Sequence, residues 1–111
     1  MRVTKDGEFY RGSHISGPTH NFLRMRLQTF PSASPSVKIL PAVGAYSHGP
    51  ELGAEEVLDW ISVGVERANE ELGTSYGISE AEAVANDNRQ PEVYAELACR
   101  IVLETHSDQR V

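Results

Sequence analysis

A chain of 111 residues with 16 acidic against 10 basic side chains has room for one modest core. Its formal charge of −6 excludes a broad nucleic-acid surface, which works by replacing phosphate counterions with Lys and Arg. Hydrophobic content of 40% and charged content of 23% remove disorder as a description, and the lone Cys99 excludes an intramolecular disulfide or a Cys-rich metal site.

In chain order, residues 2–5 and 8–11 flank Asp6-Gly7, a hairpin signal. Residues 13–21 gather Ser13, His14, Ser16, Thr19, His20 and Asn21 around Gly17-Pro18, reading as a polar turn before a strand. That strand covers 21–28: Leu23, Met25 and Leu27 alternate with Arg24, Arg26 and Gln28, the period of a half-buried strand. Residues 31–36 form a Pro/Ser loop expected to be flexible, and 37–43 a weaker strand limited by Pro41. The period then changes. Val57, Ile61, Val65, Ala68 and Leu72 predict a helix over 54–72, with Gly73 as its cap and Glu55, Glu56 and Asp59 favoured by its dipole. A strand is expected over 76–84, then a break at Asn86-Asp87-Asn88. Pro91 opens a second helix with Val93, Tyr94, Leu97, Ala98, Ile101 and Val102 on its apolar face, and residues 107–111 read as a frayed tail.

The order β-β-β(-β)-α-β-α makes residues 1–111 a single α+β domain. Its expected form is a small, mainly antiparallel sheet of about four or five strands with two helices on one face. No stretch reaches the ~20 apolar residues of a membrane span and no signal-peptide core opens the chain, so a cytoplasmic location is expected.

Certain residues carry a resemblance. They are the strand His20-Asn21-Phe22-Leu23-Arg24-Met25, the helix end Val65-Glu66-Arg67-Ala68-Asn69 and a glycine turn with Tyr76. A strand closing on Asn86-Asp87-Asn88 and the helix face Tyr94-Ala95-Glu96-Leu97-Ala98 complete the set. In this order they are similar to domain IV of elongation factor G and the superfamily sharing its fold, over residues 21–104. The resemblance implies a fold only. The chain has no nucleotide-binding domain or glycine-rich tip loop, so no site residue and no ribosomal role come with it.

Candidate ligand-binding residues are His14, His20, Asn21, Arg24, Ser47 and His48. Loop imidazoles, hydroxyls and an arginine, with free N–H groups near Gly53, are the groups that would hold a phosphate- or nucleotide-bearing ligand. None of the histidine spacings is a compact metal signature, and Ser13-His14 or Ser47-His48 adjacency does not make a nucleophile–base couple, because neighbours on a strand face opposite ways. No catalytic residue, metal ligand or cofactor is therefore assigned. Asp87 reads as a cation ligand or a turn residue, and Cys99 as a small packing residue. Trp60, with Val63 nearby, is the candidate interaction surface, set against burial of the indole on the sheet. The function expected is a small non-enzymatic binding or adaptor protein with a protein or ribonucleoprotein partner. The alternatives are a phosphate- or nucleotide-ligand-binding protein or hydrolase using the histidine loops, and a self-associating structural subunit.

Overall fold

The first hairpin turns on Gly7. Its φ of 64° lies where a side chain is strained, and the turn joins β1 (Arg2–Asp6) to β2 (Phe9–Ser16) with Asp6 opposite Phe9. The computed structural model describes residues 1–16, 19–42, 44 and 50–109. β2 is longer than its sequence suggests, so Ser13, His14 and Ser16 belong to a strand rather than a polar turn. β3 (Thr19–Gln28) pairs antiparallel with it from Ser16↔Thr19 to Tyr10↔Met25.

β4 (Ser36–Leu40) stops before Pro41 and lies parallel to β5 (Gly77–Val84). Parallel neighbours need a crossover, which α1 (Ala54–Leu72) supplies; α2 (Pro91–Gln109) follows β5. The five strands run β1-β2-β3-β5-β4, a mostly antiparallel α+β sheet in the element order β-β-β-β-α-β-α. Pro35 and Pro41 bracket β4, which sits at the sheet's edge, and proline there discourages pairing with another chain.

The core follows from strand alternation. Tyr10, Leu23, Met25, Ala81 and Ala83 are buried in one cluster with Val57, Ile61, Leu97, Ala98 and Ile101 of the helices. Large residues oppose small ones across the central pair, Leu23 against Ala83 and Met25 against Ala81. The opposite sheet face carries charge. The Arg24 guanidinium bonds Asp6 at 2.9 Å and Glu82 at 2.8 Å and lies 3.7 Å from the centre of the Phe9 ring. Arg26 reaches Glu80 at 2.7 Å and Glu8 at 3.3 Å.

α1 begins where the Glu56 carboxylate accepts a bond from the Gly53 N–H at 3.3 Å. It ends at Gly73, whose φ is 69° and whose N–H bonds the Asn69 carbonyl at 2.8 Å. The Asn69 side chain then clamps the backbone of Tyr76, donating to its carbonyl and accepting from its N–H, both at 3.0 Å. α2 continues through Ser107 to Gln109 instead of fraying at 107. The Tyr10 hydroxyl bonds Asp108, and the Tyr76 hydroxyl lies 2.9 Å from His106 Nδ1 and donates to Gln109 at 2.9 Å.

Burial first, and then the Asp108 carboxylate, push Tyr10 from an ordinary 10.0 up to about 12. The folded state thus holds this phenolic proton more tightly than the unfolded chain. The associated stability is whole below pH 10 and is lost as pH rises through 10 toward about 12. Tyr94 is raised in the same sense, chiefly by burial. Phenolate absorbance and far-ultraviolet circular dichroism followed together in base should show late ionisation coinciding with unfolding. Tyr10→Phe should remove part of that alkaline loss; an unchanged pH profile in this variant would contradict the assignment.

Candidate functional site

β3 outruns its neighbour. β5 ends at Val84, so the backbone of residues 20–22 has no strand partner on that side, and buried backbone groups do not stay unpaired. The turn Asn86-Asp87-Asn88 takes over. Asn88 donates its N–H to the His20 carbonyl at 3.2 Å, and its side-chain oxygen accepts from the His20 N–H at 3.1 Å. The Asn21 amide donates to the Asn88 carbonyl at 2.8 Å.

Asp87 is the hub. One carboxylate oxygen accepts from the Phe22 N–H at 2.6 Å and the Tyr94 hydroxyl at 3.0 Å; the other lies 2.8 Å from His20 Nδ1. The Asp87 side chain is 1% exposed and the His20 side chain 38%. Burial pushes the Asp87 carboxyl above its ordinary value, opposed by the bonds from Phe22 and Tyr94 and by His20. Against an ionised Asp87, the imidazole carries its proton on Nδ1, which fixes its tautomer and orientation. A buried carboxylate holding a half-exposed imidazole is an arrangement used both by general bases and by metal-binding histidines. Among the described residues, however, no three His, Cys, Asp or Glu side chains group to hold a metal ion.

His14 shares the face of Asn21 but not that of His20. It pairs with Asn21 while Ile15 pairs with His20, so His14 and His20 stand on opposite faces of the sheet. Asn21 is buried, and its side-chain oxygen has no hydrogen-bond partner among the described residues. Arg24 lies farther along β3, occupied by Asp6 and Glu82. Ser47 and His48 lie outside the described residues. The chain on either side of them is tied to the same turn: the Leu40 carbonyl accepts from the Ala85 N–H at 2.9 Å, and the Leu52 N–H donates to the Ala85 carbonyl at 3.0 Å. Arg89 adds bonds to the Pro50 and Glu51 carbonyls at 3.4 and 3.2 Å and an ion pair with Glu56.

Trp60 lies between the helices rather than flat on the sheet. Its ring is 5.6 Å from that of Tyr94, and the Arg89 guanidinium is 5.9 Å from it. A cleft opens beside it, lined by Trp60, Val63 and Arg67 of α1 and Glu92, Ala95 and Glu96 of α2. Val63 is 50% exposed there.

Asn88 and Tyr94 as partners of the histidine strand were missed by sequence reasoning. The available signals were the Asn86-Asp87-Asn88 break and a tyrosine on the first turn of a helix, where a buried hydroxyl requires a partner. Comparison with family models, curated proteins and solved structures finds no match for the chain.

Proposed function

We propose that this protein is a small cytoplasmic, non-enzymatic binding or adaptor protein that engages a protein, alone or within a ribonucleoprotein, through its Trp60–Val63 face. The observation carrying this reading is the open cleft between α1 and α2, where an indole and a half-exposed valine stand together. Exposed apolar groups beside a large aromatic ring are the composition of a binding hot spot. The strongest polar residues are meanwhile engaged within the fold: Asp87 through both oxygens and Arg24 by two carboxylates.

Affinity capture from host lysate at mild salt tests it. The wild-type protein should retain a defined species that Val63→Asp loses while its circular dichroism spectrum stays unchanged. A wild-type monomer that retains nothing would sink the reading.

The His20–Asp87 pair favours a second reading, a phosphate- or nucleotide-bearing ligand held at the loop end of the sheet. Calorimetric titration with inorganic phosphate and a nucleoside monophosphate should then show binding that His20→Ala abolishes. Equal heats from wild type and variant would remove it.

A further inference from the structure

The Trp60–Val63 cleft has a chemical character beyond being apolar. We infer that it receives a lysine or arginine side chain from the partner protein, an inference that rests on reading this cleft as the docking face. Trp60, Val63 and Ala95 supply apolar wall, Glu92 and Glu96 supply carboxylates on the same cleft, and the cation that lines it, Arg67, pairs with Glu96 at 3.8 Å. Lysine and arginine are the side chains that match both: an aliphatic stem that lies on apolar surface and a cationic head. Tryptophan is also the aromatic ring that attracts cations best, and this one already stands 5.9 Å from the Arg89 guanidinium.

The two carboxylates are not equivalent. Glu96 is shared by Arg100 at 2.9 Å and Arg67 at 3.8 Å. Glu92 forms no ion pair among the described residues, so it is the group left to meet an incoming cation. The surroundings reinforce the preference. α1 carries Glu55, Glu56, Asp59, Glu66, Glu70 and Glu71 against Arg67, and α2 carries Glu92, Glu96, Glu104 and Asp108 against Arg100, with Arg89 just before α2 paired to Glu56. Such a field draws cations toward the helix layer and turns acidic segments away.

Trp60 is the chain's one tryptophan, so emission excited at the red edge of indole absorption, where tyrosine does not absorb, reports on this cleft. The probes are blocked pentapeptides Ac-Ala-Leu-Xaa-Leu-Ala-NH2 with Arg, Lys, Gln or Glu at the centre. The Arg and Lys peptides should change Trp60 emission saturably, the Gln and Glu peptides should not, and added salt should weaken the response. Glu92→Gln, an exposed substitution checked by an unchanged melting temperature, should weaken Arg-peptide binding about fivefold, the scale of one exposed ion pair. A Gln peptide that binds as well as the Arg peptide, or an Arg peptide indifferent to Glu92→Gln, overturns the cation assignment. If Val63→Asp still loses its captured species in that case, the docking face stands and only its chemistry falls. A concentration-dependent dimer abolished by Val63→Asp would make a second copy the occupant and overturn the proposal.

Discussion

Asp87→Ala is expected to destabilise the protein by about 2–4 kcal/mol, on the scale of about 1–3 kcal/mol for each donor left without its acceptor. The substitution strands the Tyr94 hydroxyl and the Phe22 N–H and releases the His20 ring, all at the place where β3 runs past β5. Urea unfolding should show a lower midpoint at an unchanged slope. A loss below about 1 kcal/mol would mean the turn contributes no more than one ordinary hydrogen bond. Asp87→Asn is a sharper instrument. The Phe22 N–H can only donate, so the new amide should turn its oxygen there and present its NH2 to His20 Nδ1. His20 then has to accept at Nδ1 and carry its proton on Nε2, and imidazole nitrogen chemical shifts would record that change of tautomer. The pH dependence carries a definite sign as well. The folded Asp87 carboxyl is raised, so its contribution is whole below the ordinary 3.8 and diminishes as pH climbs through the raised value.

Gly64→Ala should destabilise by about 2 kcal/mol, the typical cost of overpacking a well-filled core, although the same change in an exposed helix gains about 1 kcal/mol. The reason is the helix crossing. A Cβ at residue 64 would stand 2.0 Å from the Ala95 carbonyl oxygen, 2.9 Å from its carbon and 3.0 Å from the Ala98 methyl. Two of these obstacles are backbone and cannot rotate aside, so α1 and α2 must separate. Ala98→Gly, which clears only the methyl, should fail to rescue the variant. Thermal unfolding of the single and double variants checks both statements, and a Gly64→Ala protein as stable as the parent would mean the helices part without cost. The crossing lies beside the Trp60–Val63 cleft, so the variant should also shift Trp60 emission.

Local periodicity made both helices legible. Val57, Ile61, Val65 and Ala68 repeat at helical spacing and all four are buried, as is Tyr94-Leu97-Ala98-Ile101-Val102 on α2. β2 hid its length because its inner face is not an apolar series. Tyr10, Gly12 and His14 face the helices, and Gly12 is there because Leu97 comes within 3.0 Å of where its Cβ would stand. Glycine and histidine at those positions look like turn residues in one dimension. The candidate site was half visible. His20 and Asn21 stood out by composition, but their partners Asp87 and Asn88 lie 67 residues or more away in several of these bonds. That pairing arises from unequal strand lengths, a tertiary fact with no local pattern. Tyr10 and Tyr76, whose hydroxyls fasten the end of α2, were equally silent for the same reason.

The central pairing of β3 with β5 bears on how the molecule is made. Leu23 meets Ala83 only after β4 and all of α1 have been laid down between them. A growing chain that has not yet delivered β5 holds a three-stranded meander whose buried face lacks its middle neighbour and its second helix. Distant contacts of this kind slow folding and leave hydrophobic surface waiting. Leu23 and Met25 therefore stay uncovered until β5 and α2 have been made, and the domain is expected to assemble in one cooperative step rather than strand by strand.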